Sequence, residues 1–440
     1  MSESFESGIL EELQWRGFIK DITHDEVDEL LDESSVTFYC GFDPSASSLH
    51  VGNAVSLMAM AHFYRHGHRP LALVGGATGM IGDPSGKDEE RDLLDEEVIE
   101  SNRQAIEAQL QGFMDQVQTR GGLVEGVEAR APKVVNNADW LTEWSFIDFL
   151  REVGRYFRVN AMIAKESVRA RLEDREQGIS YTEFSYMLIQ AFDFKHLFEA
   201  EDCQLQLGGS DQWGNITAGT ELIRRSLGEK AYGLSFPLLT SADGKKLGKS
   251  VDGAIFLDEE MTSPYDFYQY WVNADDRDCG ALLRQFTFLE RAEIEALEQR
   301  IEDGKNRGDV QRKLAYEVTA LFHGEEVADK VVRASKMLFG EPIEGLSDED
   351  LSSIFSDVPS TEFELSRLRA GELGVVDAFA EAGLQNSKGA TRRLIKQGGA
   401  YLNNHRVEDR EHVLSEEDLA SETMMVLRSG KRKYHVLRFV

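Results

Sequence analysis

The sequence predicts an α/β protein with a parallel sheet, followed by a helical region and a small α+β unit. Three segments, beginning near Val36, Arg69 and Cys203, carry a short apolar strand, then a glycine-containing turn, then a helical pattern. Strands that alternate with helices in this way are typical of parallel sheets. Residues 263–356 show only helical spacing, and the last residues combine a basic helix with strands. The predicted boundaries are residues 1–235 for the α/β unit, 236–262 for a linker, 263–356 for the helical unit, 357–370 for a second linker and 371–440 for the final unit.

The first strand–turn–helix segment carries the earliest sign of a ligand site. The strand ends at Gly41 and Asp43, and we expect Ser47 or Ser48 to cap the helix that follows. Free N–H groups and the helix dipole favour phosphate at such a position, and His50 stands there as a donor. Gly52 would let a flat base approach the backbone. An ordinary start of a helix remains the alternative.

The second glycine-rich turn, residues 75–87, matches neither standard phosphate motif. Its glycines lack the spacing of a dinucleotide fingerprint, and the stretch from Gly82 to Lys87 is one residue short of a P-loop and is followed by Asp88. This spacing excludes a P-loop phosphotransferase. Asp83 could hold an ammonium group, and a generic glycine-rich turn is the alternative.

A polar stripe runs along the predicted helix in residues 178–194. Tyr186, Gln190 and Asp193 are spaced i, i+4 and i+7, so they share one face, where an apolar core would be expected. Phe184 and Met187 indicate that this helix is largely buried. The pattern therefore favours a pocket over an exposed polar stripe.

Two later turns add a candidate acid and a group of cations. The strand at residues 203–207 ends in a glycine turn that places Asp211 where an acid can bind ribose hydroxyls. The loop at residues 241–250 then carries Lys245, Lys246 and Lys249 and contains two glycines, Gly244 and Gly248. It too is one residue short of a P-loop, so a mobile electropositive clamp fits better, with a merely solvated basic loop as the alternative.

The distribution of charge is uneven. A formal net charge of −31 argues against a nucleic-acid partner, because phosphate binding depends on Lys and Arg. From Gln385 onward, however, Lys and Arg number 11 and Asp and Glu 7. We therefore expect the basic helix and hairpin of this tail to bind an RNA backbone. A surface suited to concentrated salt is our hypothesis for the acidity of the remainder.

Composition also limits the compartment and the cofactors. The three cysteines are far apart, which fits a reducing compartment. No apolar run is long enough to span a membrane, and no signal-peptide pattern appears. We interpret His62, His66 and His68 as exposed histidines at a helix end rather than a metal site. These observations predict a cytoplasmic protein without a bound metal or organic cofactor.

Taken together, the turn sequences resemble those of bacterial tyrosyl-tRNA synthetases, class I aminoacyl-tRNA synthetases, over essentially the whole chain. The matching motifs are residues 39–44 (YCGFDP), 50–53 (HVGN), 74–79 (VGGATG), 82–87 (GDPSGK), 182–187 (TEFSYM), 208–215 (GGSDQWGN) and 246–250 (KLGKS).

The resemblance implies a Rossmann-like catalytic domain, a helical anticodon-binding domain and a C-terminal RNA-binding domain. It also implies a homodimer that binds tRNA(Tyr) and L-tyrosine and uses Mg-ATP as a substrate. The implied reaction forms tyrosyl-adenylate and pyrophosphate, and then transfers tyrosine to the terminal ribose of the tRNA.

Roles for individual residues follow from the same resemblance, position by position. The implied catalytic residues are His50, Asn53, Lys246, Lys249 and Ser250. The implied tyrosine-binding residues are Tyr39, Asp43, Asp83, Tyr186, Gln190, Asp193 and Gln212. The implied ATP-binding residues are Cys40, Gly41, His50, Gly52, Asn53, Ser56, Asp211 and Lys249. The basic tail supplies the expected tRNA-binding residues Lys388, Arg392, Arg393, Lys396, Lys431, Arg432 and Lys433.

The resemblance leads to specific expectations for Tyr39, Asp193 and Asn53. The resemblance implies that Tyr39 and Asp193 bind the phenol hydroxyl of tyrosine and reject phenylalanine, and this family is itself the established example of such discrimination, at about 10⁵-fold. Asn53 stands where the family motif usually ends in histidine, so we expect altered rather than absent activity. The alternatives are a non-catalytic RNA-binding relative and a synthetase for another aromatic amino acid, which the Tyr39 and Asp193 pair disfavours.

Overall fold

The structure is a computed structural model that describes residues 5–83, 85, 95–165, 168–169, 172, 178–244, 247–250, 253–305, 307–338, 340–355, 358–430 and 433–440. The chain divides into two compact units, one ending at Glu325 and the other beginning at Glu326. The boundary predicted at residue 263 lies inside the first unit, so the first helices of the predicted helical region group with the α/β part.

The first unit combines a sheet with helices on its faces and a helical extension. Its helices are α1 (Gly8–Arg16), α2 (Glu26–Glu33), α3 (Val51–Arg65), α4 (Glu96–Gln116), α5 (Ala138–Leu141), α6 (Phe146–Glu152), α7 (Val159–Ile163), α8 (Tyr181–Glu201), α9 (Trp213–Leu227), α10 (Pro264–Val272), α11 (Asp276–Phe286), α12 (Arg291–Glu302) and α13 (Arg307–His323). Its strands are β1 (Asp21–Ile22), β2 (Thr37–Phe42), β3 (Arg69–Val74), β4 (Lys133–Asn136), β5 (Cys203–Gly209), β6 (Tyr232–Phe236), β7 (Lys249–Ser250) and β8 (Gly253–Ala254).

The main sheet has the order β1-β6-β5-β2-β3-β4. Strands β2 to β6 are parallel and β1 is antiparallel, which confirms the predicted parallel sheet. Tyr39 of β2 lies opposite Leu71 of β3 and Gln206 of β5. From β2 the chain continues to β3 and β4 on one side of the sheet, and from β5 it continues to β6 on the other side. The crevice at the carboxyl ends of β2 and β5 is therefore the position where open α/β sheets bind ligands.

Helix α3 begins one turn later than the sequence predicted. Its N-cap is His50, not Ser47 or Ser48, and the backbone N–H of His50 donates to Asn53 Oδ1 at 3.1 Å. Ser48 has another partner, because its hydroxyl accepts a hydrogen bond from the backbone of Asp258 at 3.1 Å. The helix therefore starts at the residue that was expected to meet phosphate.

The histidines near the end of α3 were wrongly predicted to be exposed. His62 is fully buried and lies against the rings of Phe18 and Phe288. His68 is also buried, and its Nδ1 accepts a hydrogen bond from the backbone N–H of Val36 at 3.2 Å. Among the residues that the structure describes, no group of three His, Cys, Asp or Glu side chains could hold a metal ion.

The aromatic segment at residues 137–157 forms short helices separated by turns. Ser145 caps α6 by accepting a hydrogen bond from the backbone N–H of Asp148 at 3.1 Å. At the start of α6, Phe146 and Ile147 have 62% and 69% of their surface exposed.

The second unit packs short helices against an antiparallel sheet with one parallel edge. Its helices are α14 (Glu325–Leu338), α15 (Asp348–Ile354), α16 (Leu365–Arg369), α17 (Val375–Glu381) and α18 (Lys388–Lys396). Its strands are β9 (Ser360–Phe363), β10 (Ala400–Leu402), β11 (His405–Arg406), β12 (Met424–Ser429) and β13 (Lys433–Phe439), in the order β11-β10-β12-β13-β9. None of the described helices is long and apolar enough to cross a membrane.

Strand β9 lies in the segment predicted to be a linker. It pairs in parallel with β13, and Phe363 is buried beside Phe439 in the core of the unit. Alternation of exposed and buried residues over four positions was too short a signal to identify this edge strand.

Candidate active site

One cavity of about 570 Å³ lies at the carboxyl ends of β2 and β5. It brings together residues predicted from four separate segments of the sequence. Those that line it are Tyr39, Cys40, Gly41, Asp43, His50, Gly52, Asn53, Ser56, Asp83, Tyr186, Gln190, Asp193, Asp211 and Gln212. Residues far apart in the sequence therefore face a common space large enough for a small molecule.

Asp193 is the buried acid of this cavity, with 1% of its surface exposed. Its Oδ2 accepts a hydrogen bond from Asn137 Nδ2 at 2.9 Å, and its Oδ1 accepts one from Trp140 Nε1 at 2.8 Å. Burial raises the pKa of Asp193 to about 7, and these two hydrogen bonds oppose that increase. The carboxyl group is thus held in a fixed orientation by two donors.

Tyr39 of β2 lies beside this acid and is equally buried. Its hydroxyl group has no hydrogen-bond partner among the described residues. Burial, with a contribution from Asp193, raises the pKa of Tyr39 well above its usual value, so the phenol stays protonated. A buried hydroxyl and a buried carboxyl group in one pocket favour a ligand that carries a polar group.

A chain of hydrogen bonds connects Asp193 to the opposite wall of the cavity. Asn137 also donates to Thr78 Oγ1 at 3.0 Å, and the Thr78 hydroxyl donates to Asp43 Oδ1 at 2.8 Å. Asp43 Oδ2 in turn accepts a hydrogen bond from the hydroxyl of Tyr186 at 2.7 Å. The predicted residues Asp43, Tyr186 and Asp193 therefore belong to a single network.

Sequence reasoning missed Asn137, Trp140 and Thr78 as members of this network. Asn137 follows the end of β4, and polar residues at the carboxyl ends of parallel strands are a recognised signal for a site. No comparable signal marks Trp140, because its position in an aromatic segment indicated packing. Thr78 lies within the glycine-rich turn, where only Asp83 was singled out.

A second network lies around Asp83. Gln212 Nε2 donates to Asp83 Oδ2, and the backbone N–H of Ser85 donates to Asp83 Oδ1 at 2.9 Å. Asn215, which was also missed, donates to Gln190 Oε1 at 2.9 Å and to Gln212 Oε1 at 3.1 Å. Asn215, which is 4% exposed, therefore links Gln190 to Gln212 and, through Gln212, to Asp83.

Cys40 faces the same cavity as a neutral thiol. Burial raises the pKa of Cys40 to about 12, although a hydrogen bond with Ser56 opposes this increase. A thiol with so high a pKa is a weak nucleophile at neutral pH but can still donate a hydrogen bond. Cys40 is therefore suited to binding rather than to covalent chemistry.

The start of α3 forms another wall of the cavity. A Cβ atom on Gly52 would lie 2.7 Å from Cε1 and 2.9 Å from Nδ1 of His50, so only glycine leaves the imidazole in place. The oxygen of Asn53 accepts from the backbone of His50, which leaves the amide nitrogen of Asn53 to donate to a ligand. This wall presents N–H donors of the kind that bind phosphate.

The predicted cationic and basic residues are described only in part. Lys246, Lys431 and Arg432 lie outside the described residues, as do the side chains of Lys249 and Ser250, whose backbone forms β7. Helix α18 exposes Lys388, Arg392, Arg393 and Lys396 on one face and buries Thr391 and Ile395 on the other. Lys433 is exposed at the start of β13.

The raised pKa of Asp193 gives a testable pH dependence of stability. Between about pH 4 and pH 7 the folded protein keeps a proton on Asp193 that the unfolded chain releases. The contribution of this group to the free energy of unfolding therefore falls as the pH rises through that window. In urea unfolding at pH 5 and pH 8, wild type should lose stability relative to Asp193→Asn at the higher pH. Parallel pH profiles of the two proteins would contradict this assignment.

Comparison with known proteins identifies the family of this chain. A family model described as tRNA synthetases class I (W and Y) matches residues 31–340, and one described as the Tyrosine--tRNA ligase SYY-like C-terminal domain matches residues 350–437. The Tyrosine--tRNA ligase of Roseiflexus castenholzii is 49% identical over 432 residues, which cover 98% of this chain and 99% of that protein. The chain belongs to the tyrosine–tRNA ligase family. The predicted resemblance to class I synthetases is thereby confirmed.

Other tyrosine–tRNA ligases agree with this assignment. The Geobacillus stearothermophilus protein is 47% identical over 433 residues, covering 98% of this chain and 99% of that one. The structure of a C-terminally truncated mitochondrial tyrosyl-tRNA synthetase from Aspergillus nidulans matches with a TM-score of 0.67 and 32% identity, over 76% of this chain and 94% of that chain. The predicted fold class, an α/β unit followed by helices and a C-terminal α+β unit, is confirmed.

Proposed function

We propose that the cavity activates L-tyrosine with ATP and that the same enzyme transfers the tyrosine to tRNA(Tyr). In the first step a carboxylate oxygen of tyrosine bonds to the α-phosphorus of ATP, and the bond to pyrophosphate breaks. In the second step a ribose hydroxyl of the terminal adenosine attacks the tyrosyl carbonyl, and AMP leaves. The observation that carries the proposal is the buried pair Tyr39 and Asp193 in a cavity that also contains the start of α3.

The Tyr39 and Asp193 end would bind the phenol group of tyrosine. The phenol hydroxyl can donate to the carboxylate of Asp193 and accept from the hydroxyl of Tyr39. Phenylalanine would leave the Tyr39 hydroxyl without a partner and would offer Asp193 no donor, and a site built to hydrogen-bond a hydroxyl strongly rejects the analogue that lacks it. This arrangement selects tyrosine.

The two hydrogen-bond networks would bind the α-ammonium group. Asp83 supplies a carboxylate, and Tyr186 and Gln190 supply oxygen atoms, all facing the cavity. Asp43 orients Tyr186, because its Oδ2 accepts a hydrogen bond from the Tyr186 hydroxyl at 2.7 Å. Gln212 lies beside Asp83, where the carboxylate of tyrosine would approach ATP.

The start of α3 and the lysine loop, residues 241–250, would bind the nucleotide. Gly41 and Gly52 leave room for the adenosine, and Cys40, Asn53, Ser56 and Asp211 face the cavity as groups for the ribose. His50, Lys246, Lys249 and Ser250 would stabilise the charge that develops on the phosphates, with Mg²⁺ arriving as part of the substrate Mg-ATP. Catalysis rests on positioning and charge stabilisation, because tyrosine itself is the nucleophile.

The C-terminal unit would bind the tRNA through its basic face. Lys388 is paired with Asp377 at 2.7 Å, whereas Arg392, Arg393 and Lys396 are exposed and none of the described ion pairs includes them. Arg428 stacks on the ring of Tyr401 with its Cζ 3.8 Å from the centroid, which adds a planar cation to this unit. Lys431, Arg432 and Lys433 extend the proposed surface.

Replacing both Arg392 and Arg393 by alanine should raise KM for tRNA by about tenfold. It should also make this KM depend less on salt, because a protein with fewer phosphate contacts releases fewer counterions when it binds. Pyrophosphate exchange, which needs no tRNA, should not change. Lys388→Ala is a matched control with a smaller expected effect, since its charge is already paired. Equal KM values for tRNA in the double variant and wild type would contradict the assignment.

We also propose a homodimer that works in the cytoplasm. Phe146, Ile147, Val159 and Tyr181 are each more than half exposed, and large apolar side chains at the surface are candidates for an interface. The predicted domain division places catalysis in residues 1–235, anticodon binding in 263–356 and further RNA binding in 371–440. Cys40, Cys203 and Cys279 are free thiols, which is consistent with a reducing compartment.

The proposed function is tested by exchange of labelled pyrophosphate into ATP with tyrosine, phenylalanine or tryptophan as the amino acid, over a range of salt. We expect exchange with tyrosine alone, and a salt optimum if the acidic surface is adapted to concentrated salt. Absence of exchange from folded protein in every condition would instead support the non-catalytic RNA-binding alternative.

A further inference from the structure

The segment that follows the lysine loop is joined by backbone hydrogen bonds to the turn that contains His50. The N–H of Val51 donates to the carbonyl of Ile255 at 2.9 Å, and the N–H of Leu257 donates to the carbonyl of Leu49 at 2.8 Å. His50 itself forms an antiparallel bridge with Phe256. The downstream side of the loop is thus fixed to the start of α3.

The upstream side of the loop is fixed to a different element, helix α11. The backbone N–H of Ala242 donates to Asp278 Oδ1 at 2.7 Å, and Asp278 is 9% exposed. Arg277 forms a two-pronged ion pair with Asp243, at 2.9 and 3.1 Å. These contacts hold the first residues of the loop at the start of α11.

Between these two attachments, Gly248 is held by a side chain of helix α10. Its backbone N–H donates to the hydroxyl of Tyr270 at 2.9 Å. Gly248 is buried and has φ of +93°, and a Cβ atom there would lie 3.1 Å from the backbone nitrogen of Gly52. Together with the hydrogen bond that the Gly248 carbonyl accepts from the N–H of Ile255 at 3.0 Å, this contact fixes the loop where its backbone lies close to the start of α3.

We propose that Tyr270 is a positioning residue for the first step of the reaction. Its hydroxyl accepts a hydrogen bond from the N–H of Gly248 and so helps to fix the backbone of the next residue, Lys249, near the start of α3. Tyr270 does not line the cavity, and its ring packs against Trp271 with centroids 5.1 Å apart. The inference rests on the proposed function, in which Lys249 stabilises the phosphates.

The two steps of the reaction separate this role from a general structural one. Pyrophosphate has left before tyrosine is transferred, so a residue that acts through Lys249 affects the first step and not the second. Tyr270→Phe removes the acceptor and keeps the ring, leaving the buried N–H of Gly248 unpaired. Loss of an acceptor for a buried N–H corresponds to about a tenfold effect.

We therefore expect Tyr270→Phe to lower kcat for tyrosine-dependent pyrophosphate exchange about tenfold, with KM for tyrosine unchanged. Single-turnover transfer from preformed enzyme-bound tyrosyl-adenylate to tRNA should keep its wild-type rate. Tyr268→Phe is the matched control: Tyr268 lies on the same helix, no hydrogen bond of the described residues joins it to the loop, and both steps should be normal. Circular dichroism and thermal unfolding establish that each variant is folded.

Lys249→Ala distinguishes a failure of this inference from a failure of the proposed function. If Lys249→Ala slows exchange and Tyr270→Phe does not, the role of Tyr270 is wrong and the proposed function stands. If neither variant slows exchange, the assignment of the loop to the phosphates is wrong as well. Equal losses in both steps for Tyr270→Phe would show a general structural role and overturn the inference.

Discussion

Replacing Asp193 by alanine is expected to lower kcat/KM for tyrosine in pyrophosphate exchange by about 10²- to 10³-fold and to change kcat/KM for phenylalanine little. The variant loses the acceptor for the phenol hydroxyl, and the donors of Asn137 and Trp140 are left unpaired beside the ligand. Discrimination against phenylalanine should therefore collapse, while the residues that bind ATP keep their positions.

This expectation is checked by measuring exchange with both amino acids and KM for ATP in the same preparation. Asp139→Ala is a suitable control, because it removes an exposed carboxylate one residue before Trp140 that does not line the cavity. Equal losses of tyrosine and ATP affinity in Asp193→Ala would show that the residue supports the cavity as a whole and does not select the amino acid.

Replacing His50 by alanine is expected to lower kcat for exchange by about 10²- to 10³-fold, the usual cost of removing one donor to a developing charge. The start of α3 should survive, because alanine retains the half of the capping box in which the backbone N–H of residue 50 donates to Asn53 Oδ1. The expected loss thus falls on the transition state, where the phosphates gain charge.

Equilibrium binding of tyrosine provides the internal comparison for His50→Ala, since the imidazole is expected to act only on ATP. His405→Ala, which removes an exposed histidine of the C-terminal unit, is the control. A large decrease in tyrosine affinity, or loss of the folded state, would contradict a role for His50 in the transition state.

The sequence predicted the parts of the site whose signals are local. Strands that end in glycine turns located His50, Asp83 and Asp211, and the spacing of one helix placed Tyr186, Gln190 and Asp193 on a common face. These inferences depend only on the periods of strands and helices. The structure places all six side chains around a single cavity.

The partners that hold those residues could not be predicted in this way. Asn137 and Trp140 precede Asp193 by 56 and 53 residues, and they meet it only because β4 and α8 pack in the same unit. The cap at His50 depended on Ser48 being engaged by Asp258, which is also distant in sequence. Burial of His62 required the rings of Phe18 and Phe288 from two other segments.

The hydrogen-bond chain from Trp140 through Asp193, Asn137, Thr78 and Asp43 to Tyr186 has a consequence for engineering. A variant that is to accept a tyrosine analogue with a bulky para substituent would need space at Asp193. Shortening that side chain alone would leave the donors of Asn137 and Trp140 without an acceptor. Such a redesign must therefore give these two N–H groups a new acceptor when it opens the pocket, because unpaired buried donors would weaken binding of the analogue.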